Sequence, residues 1–384
     1  MARYVRVVSL GSRIRTASSW PRLSEAERDV LLDLLVHGAK PRSELADRLH
    51  LSRPTLSRVT KALVTHGLLV EGATELRSAT GRPSEMLHVH GASHRFLGVK
   101  LTTDRLFAVV TDLTATVVDS VEQPLPSRDP HEVIAAITEV SARFPGLTGL
   151  GVILGGVVHE GRVAQAGFLD WTDVPLGPRL TEATGLPTAV DNDVQALTAA
   201  EHWFGAGAGT TSMVVITIGA GVGTGLIVDG KLVEGSHGLP PRFSHILVDP
   251  AGPHCGYGHR GCASSYLMTH VILRQLDGSP TYDEAVDRVR SGNKQATDVF
   301  ERSGYALGVL VGTAANFLDP QKILLTGEGL PLYELTAPLV HEGIEDSYED
   351  DPALIDLDVQ PFDFGEWARS AAALAIRKTI TEVI

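Results

Sequence analysis

The sequence predicts an α/β protein in two parts, a small winged helix-turn-helix placed before a larger, two-lobed body. Three observations predict it. The 384 residues exceed what one hydrophobic core comfortably serves. Three amphipathic helical patterns and two short strand-like runs fill the first ninety residues. Two strand hairpins, opening near Phe96 and Met213, then head two stretches of mixed strand and helix pattern. That recurrence implies an internally duplicated fold with a cleft between its halves.

Composition is that of a globular protein, with 43% hydrophobic and 21% charged residues. No apolar run reaches the ~18 residues of a membrane span. The basic start, MARYVRVVSLGSRIRTASSW, lacks a signal peptide's apolar core and small-residue cleavage site. A soluble cytoplasmic protein with no membrane partner is expected. The net charge of −13 alone argues against nucleic acid, but its distribution reverses that inference. Residues 1–90 hold 14 Lys and Arg against 9 Asp and Glu, a balance of +5, which leaves −18 for the remainder. A basic head on an acidic body is the asymmetry expected when only the head meets phosphates.

In the head, Ser24 to Glu27 has the form of a capping box. Val30, Leu31, Leu34 and Leu35 follow at helical spacing, and Gly38 ends this first helix. A second helix fits Arg42 to Leu49. Ser52 caps a third, Arg53 to His66, which Gly67 stops. Its inward face is Leu56, Val59 and Leu63; its outward side offers Arg53, Thr55, Ser57, Arg58 and Lys61. Two helices joined by a short turn, the second rich in Arg, Ser, Thr and Lys at its start, form the helix-turn-helix pattern. The predicted DNA-facing set is these five residues with Ser52, and Arg42 at the head of the second helix. Arginine can bond guanine edges bidentately, and a helix N-terminus attracts phosphate. A small helical bundle with a solvated face would give the same pattern. The strand-like runs Leu68–Glu71 and Glu85–Val89 weigh against that, because they flank a polar tip, Ala79–Ser84, as a wing would. Within the tip, Gly81-Arg82-Pro83 presents Arg82 in an extended segment suited to a narrow minor groove.

In the body, Phe96–Leu101, Leu106–Asp112 and Val117–Val121 read as a meander, followed by a helix at His131–Arg143 and a strand at Leu150–Leu154. Met213–Ile218 and Gly225–Val233 repeat the hairpin. Asn192-Asp193 follows the strand-like Thr188–Val190. A carboxylate there can accept a hydroxyl proton, and a helix cap leading into Val194–Trp203 is the plainer reading. Gly219, Gly221 and Gly223 would let backbone amides approach a phosphate, and a hairpin turn explains them equally. The two cysteines, Cys255 and Cys262, stand seven apart in a Gly/His-rich loop, which suggests a metal site more than a disulfide framework.

Leu51–Arg58, Gly81-Arg82-Pro83, Val190–Val194, Gly219–Gly223, and His245 with Cys255 and Cys262 together resemble the ROK family (repressor, open reading frame, kinase). The resemblance runs over nearly the whole length. It implies an actin/hexokinase-like (ribonuclease H-like) body behind the winged helix-turn-helix, and a function as a sugar kinase or sugar-responsive repressor. The repressors carry the head; the kinases lack it. The expected domains are 1–90, with a basic N-terminal arm, and 91–384, whose lobes divide near 195 and whose C-terminal helix returns to the first lobe.

The resemblance makes Asp193 the vestigial position of a kinase base and Asn192 the holder of a neighbouring sugar hydroxyl. It makes the loop of Gly219, Gly221 and Gly223 a nucleotide-phosphate contact, and Leu324–Gly329 an adenosine-side loop. Several positions depart from the family. Lys100 stands where kinases have an acid, Thr102 and Thr103 stand for glycines, and Asp104 is displaced by four positions. A lysine has no oxygen with which to ligate Mg²⁺, so neither kinase activity nor an ATP requirement is expected. Arg242 and Ser264 replace two sugar-binding glutamates, while Asn192, Asp193 and His245 remain as ligand contacts. Arg242 would favour an anionic ligand such as a sugar phosphate. His245, Cys255 and Cys262 match three zinc ligands of the family, Tyr257 replaces the fourth, and His254 or His259 is available instead. A metal-free loop stays open as the other reading.

The whole predicts a repressor of carbohydrate metabolism that binds an inverted-repeat operator in double-stranded DNA as a homodimer or dimer of dimers and responds to a sugar or sugar phosphate. The alternatives are a sugar kinase with a DNA-binding head, and a ligand-independent DNA-binding protein whose body only dimerises.

Overall fold

The structure, a computed structural model, describes residues 20–75, 84–236 and 239–381. The basic arm before Trp20 and the Gly81-Arg82-Pro83 tip lie outside the described residues.

The head contains α1 (Glu25–His37), β1 (Lys40–Pro41), α2 (Arg42–Arg48), α3 (Arg53–Thr65), β2 (Leu69–Glu75) and β3 (Ser84–Val89). The strands form a sheet in the order β1-β3-β2, all antiparallel. At the start of α1, Glu27 reaches back to accept from the Ser24 amide at 2.7 Å. At the start of α3, the Ser52 side chain accepts from the Thr55 amide at 3.3 Å. Pro54 sits in the first turn, where a missing N–H breaks no helical bond. Leu56, Val59 and Leu63 of α3 are buried with Val30, Leu31 and Leu34 of α1 and Leu45 of α2. Arg48 donates to the buried Asp33 at 2.9 Å and so fastens α2 to α1.

The first lobe runs through β4 (Arg95–Leu101), β5 (Arg105–Asp112), β6 (Val117–Pro124), α4 (Pro130–Ala142), β7 (Leu147–Leu154), β8 (Val157–His159), β9 (Arg162–Ala166), β10 (Trp171–Val174), α5 (Leu176–Thr184) and β11 (Thr188–Asn192). Its main sheet has the order β11-β7-β4-β5-β6, with β4, β7 and β11 parallel and the β4–β5–β6 meander antiparallel. All eight residues of β7 are buried, as expected of a central strand covered on both faces. The strands β8, β9 and β10 form a small separate sheet. Helix α6 (Asp193–Phe204) then leads to the second lobe.

That lobe holds β12 (Met213–Ile218), β13 (Val222–Val228), β14 (Lys231–Leu232), α7 (Ser264–Leu267), α8 (Thr269–Leu273), α9 (Tyr282–Arg290), α10 (Lys294–Leu318), β15 (Lys322–Thr326), α11 (Pro331–Ser347) and β16 (Leu357–Val359). The sheet order is β14-β13-β12-β15-β16. The antiparallel hairpin partner β13 on one side of β12, and the successive parallel strands β15 and β16 on the other, repeat the arrangement around β4. The duplicated hairpin pattern thus becomes a duplicated sheet.

Helix α12 (Phe364–Thr381) returns to the first lobe and lies across β4 and β7. The approach is close because both partners are small. A Cβ on Gly98 would strike the Ala368 carbonyl, and one on Gly151 the Ala371 carbonyl. The head is not a separate bead. Val30, Leu31 and Leu34 of α1 share one apolar cluster with Phe96 and Leu113 of the first lobe, Ala200 and Phe204 of α6, and Ile376 and Ile380 of α12. Trp20 packs edge-on against His94, with ring centres 4.9 Å apart. Among the described residues, no helix is long and apolar enough to cross a membrane.

Candidate functional site

Three places gather the chemistry-bearing residues. The first is the outer face of α3. Arg53, Ser57, Arg58 and Lys61 are exposed there, beside the exposed Ser52 and half-buried Thr55. The spacing that turns Leu56, Val59 and Leu63 inward turns these side chains outward. Among the described residues, Arg53, Arg58 and Lys61 form no side-chain hydrogen bond or ion pair, so three cations stand ready on one surface. Arg42 needs a correction. Its guanidinium donates to Thr60 of α3 at 3.2 Å and to Glu85 of β3 at 3.1 Å, and it also pairs with Glu71 of β2. The residue expected to face DNA instead ties the helix-turn-helix to the wing. Its charge is already matched by two carboxylates.

The second place is the cleft at the ends of β4, β7 and β11. Asn192 is the N-cap of α6: its Oδ1 accepts from the amides of Val194 at 3.0 Å and Gln195 at 3.2 Å. Its Nδ2 donates to the Gly156 carbonyl at 2.9 Å. The plainer reading of the pair, a helix cap, is therefore realised, and it fixes where Asp193 begins the helix. Asp193 is buried and accepts from the Val194 amide at 2.9 Å. Its other oxygen is paired with the buried ammonium of Lys100, which also lies 4.7 Å from the centre of the Trp367 ring of α12. One lysine thus joins β4, α6 and α12. Asp104 is directed elsewhere, toward Thr102. Arg242 is exposed, just before the 3₁₀ turn that carries His245. Ser264 is fully buried and donates to the Ser244 carbonyl at 2.8 Å, which gives it a structural partner within the same loop.

Gly219 and Gly221 form the turn between β12 and β13, and Gly223 lies in β13. A Cβ on Gly219 would strike the Glu328 side chain, and one on Gly223 would strike Val194. The Ala220 amide in this turn donates to the Glu328 carboxylate at 2.7 Å. An amide that a nucleotide phosphate would use is engaged by an internal acid. Sequence reasoning missed this. Glu328 stood in view between Gly327 and Gly329, but nothing local indicated that it reaches across to a loop more than a hundred residues earlier.

The third place is the cysteine loop. Nitrogen or sulfur atoms of His245, Cys255, His259 and Cys262 all lie within 4.8 Å of one another. His259 Nδ1 is 3.1 Å from His245 Nδ1 and 3.7 Å from Cys255 Sγ, and Cys262 Sγ is 3.5 Å from His245 Nδ1. Of the two histidines left open by the sequence, His259 joins the cluster and His254 does not. A bend brings it in: the Cys255 amide donates to the His259 carbonyl at 2.8 Å. Tyr257 is exposed and meets His245 only edge-on. Burial, with His259 nearby, lowers the His245 pKa and favours the neutral imidazole that ligates metal. Burial opposes the Cys255 thiolate, but hydrogen bonds from the amides of Tyr257 and His259, with those from the Cys262 side chain and Cys255's own amide, together bring the thiol below its ordinary value. Burial pushes Cys262 up.

The pattern of the ROK family matches residues 96–368, and that of the MarR family matches residues 23–70. The chain is 25% identical to the DNA-binding transcriptional repressor Mlc of Escherichia coli over 338 residues, covering 82% of this chain and 83% of Mlc. It is 23% identical to the xylose repressor of Bacillus subtilis over 308 residues, or 77% of this chain and 80% of the repressor. A glucokinase of Halalkalibacterium halodurans is 33% identical over 202 residues, but these span 47% of this chain and 61% of the kinase. Among solved structures, a ROK family transcriptional regulator described as a homolog of the E. coli MLC protein superposes with a TM-score of 0.77 at 24% identity, covering 92% of this chain and 96% of that one. A ROK glucokinase from Streptomyces griseus gives 0.62 at 23% identity over 74% of this chain and 99% of its own.

Proposed function

Because the chain belongs to the ROK family, we propose that it is a sequence-specific DNA-binding repressor of carbohydrate metabolism whose body senses a sugar or sugar phosphate and transfers no phosphate. The observation that carries this reading is the outer face of α3. Three cations without a partner among the described residues stand there on a helix-turn-helix whose opposite side shares a core with the body. Relatives matched over more than three quarters of this chain are named repressors. In this reading residues 1–90 form the DNA-binding domain and 91–384 the sensing domain, and the protein works in the cytoplasm. Ser52, Arg53, Thr55, Ser57, Arg58 and Lys61 contact the major groove and its phosphates, and Arg82 on the wing enters the minor groove. Two heads of a homodimer, or of a dimer of dimers, read an inverted repeat.

Two features support a non-catalytic body. A general base must present a free carboxylate oxygen to the hydroxyl it deprotonates. Lys100 holds that oxygen of Asp193, and Glu328 occupies an amide of the nucleotide-like loop. Asn192, Asp193, Arg242 and His245 remain as candidate ligand contacts, with Asn192 contributing mainly through the helix terminus that it caps. The kinase alternative requires Lys100 and Glu328 both to vacate their places.

The four-residue cluster fits zinc. A tetrahedral ion at about 2.1 Å from nitrogen and about 2.3 Å from sulfur sets its ligand atoms about 3.4–3.8 Å apart. The 3.1, 3.5 and 3.7 Å separations lie close to that range. His245, Cys255, His259 and Cys262 would hold the ion, which would supply a closed structural crosslink. The cluster thus carries the fixed end of the loop that begins at Arg242.

The test is a gel-shift titration of the full chain against the DNA upstream of its own gene, repeated with sugars and sugar phosphates. Salt-sensitive binding altered by one of these ligands is expected. Absence of binding to any duplex overturns the reading. Binding that no ligand alters supports the version in which the body only dimerises.

A further inference from the structure

The joint between head and body holds four of the chain's 15 histidines, His37, His90, His94 and His202. His37 stands in α1, one turn after the head-core Leu34, and its Nε2 lies 3.9 Å from Asp33. His90 lies in the segment joining β3 to β4. Its amide donates to the Leu68 carbonyl at 2.8 Å and its Nδ1 to the Gly67 carbonyl at 3.0 Å. His94 comes just before β4 and is 6% exposed, with its ring against Trp20 and its Nδ1 3.1 Å from Ser93 Oγ. His202 stands in α6 between the head-packed Ala200 and Phe204 and is 7% exposed. Its Nε2 donates to the Thr210 carbonyl at 3.0 Å. None of these rings belongs to the recognition face, the cleft or the cysteine loop.

The joint favours these rings as neutral groups. Burial holds His37, His94 and His202 below the ordinary histidine value. Neighbouring cations act in the same direction. His90 faces His94, Arg377 of α12 faces His202, and Arg48, Lys40 and His202 face His37. Among the described residues, Asp33 is the carboxylate within ion-pair reach of the group, and it already receives Arg48 at 2.9 Å and Lys40 at 3.8 Å. Glu201 is turned to the Ala206 amide and Arg369, and Asp112, beside Gly91, is turned to Thr114 and Thr116. Protonating His202 would also add an Nδ1–H that finds no acceptor among the described residues, a costly arrangement in a buried place. If the head swings clear, the rings return to water and to a value of about 6.5. Docking of the head is therefore fully present above that value and is lost as pH falls through the lower values of the docked state.

We propose that the joint is a proton-sensitive latch, in which the neutral rings of His37, His94 and His202 hold the head against the body near neutral pH and their protonation in mildly acid solution releases it. The cluster has the two parts such a switch needs, titratable rings and an interface for them to bias. Its apolar share, from Val30, Leu31 and Leu34 against Phe96, Phe204 and Ile376, does not change with pH, so the histidines alone set the response. A released head no longer presents α3 at a fixed place on the body, and binding to an operator of two half-sites weakens. That consequence rests on the DNA-binding reading above; the opening of the joint does not.

The experiment is hydrogen exchange of the full chain without DNA, read by mass spectrometry at about pH 7.5 and about pH 5.5 and corrected for the intrinsic rate. It is repeated on His94→Phe, which keeps a ring against Trp20, on His202→Gln, which keeps a donor for Thr210, and on the double variant. Each proton taken up on opening changes the opening constant by up to about tenfold per pH unit. Protection of the α1 and α3 amides should therefore fall about tenfold or more at the lower pH, relative to the buried strand β12. The double variant should lose most of that response, and each single variant part of it. An equal response in the head and β12 of the wild type overturns the proposal. So does a full wild-type response in the double variant or, if that protein does not fold, in both single variants. Gel shifts at the same two pH values should show binding weakened about tenfold in acid for the wild type and much less for the variants. Gel shifts that ignore pH while the joint opens overturn the operator consequence alone, and absence of DNA binding at both values removes the DNA-binding reading but leaves the latch.

Discussion

Replacing Lys100 by Met should be among the costliest single changes in the body, and a change at Asp193 should largely reverse the cost. Both side chains are withdrawn from water, with 7% and 13% of their surfaces exposed. Methionine keeps the aliphatic stem of Lys100 and its contact with Trp367 but removes the charge. Asp193 then retains the Val194 amide on one oxygen and has an uncompensated buried charge on the other. Breaking a buried pair from one side costs about 3–5 kcal/mol. Asp193→Asn should cost less, about 1–3 kcal/mol, because the amide oxygen can still accept from Lys100 and the Trp367 face still attracts the cation. The Lys100→Met/Asp193→Asn double variant has no charge to strand, so it should lie nearer the wild type than Lys100→Met alone. Urea titrations of the four proteins, followed by tryptophan fluorescence, give the coupling directly, and about 2 kcal/mol or more is expected. Single-variant losses that simply add, within about 0.5 kcal/mol, would refute the argument that Lys100 withholds Asp193.

Arg58→Ala should weaken operator binding by roughly tenfold and lower the salt slope by about one counterion if Arg58 meets a phosphate, or relax preference at one base if it meets a guanine edge; unchanged gel shifts place the DNA surface elsewhere. The His259→Ala protein should purify with much less zinc than the wild type, and Tyr257→Ala with as much; equal zinc contents in all three by elemental analysis would remove His259 from the ligand set. The native chain keeps the Asp191 proton up to pH about 6, whereas an unfolded aspartate releases it near 3.8. This contribution is therefore fully present below the lower value and lost as pH rises through the upper, a span of about 3 kcal/mol. Asp191→Asn should remove that slope and gain on the wild type toward neutral pH. Parallel stability profiles of the two proteins between about pH 4 and 7 would contradict this.

Much of the architecture was legible in the sequence because periodicity and end signals agreed. Ser52, Pro54 and the Leu56, Val59, Leu63 face defined α3 to within a residue, and Met213–Ile218 emerged with its bounds unchanged. The Asn192 cap was readable for the same reason, since capping is decided within three residues. What stayed hidden depends on contacts between distant segments. Lys100 could be recognised as the wrong residue for a kinase, but its partner lies 93 positions away. Arg42 looked like a free cation because Glu71 and Glu85 approach it only after the wing folds back. The choice of His259 over His254 turned on the bend between Cys255 and His259, which spacing alone does not specify.

The apolar cluster that α1 shares with Phe96, Phe204 and Ile380 has a consequence for the geometry of recognition. Among the described residues no slack tether stands between α3 and the body, so in the proposed dimer each half would present its helix at a preset distance and angle. Successive base pairs turn by about 34° around the duplex axis. A spacer lengthened by one pair would carry one half-site out of reach, and the body, unable to swivel, would have no way to follow it.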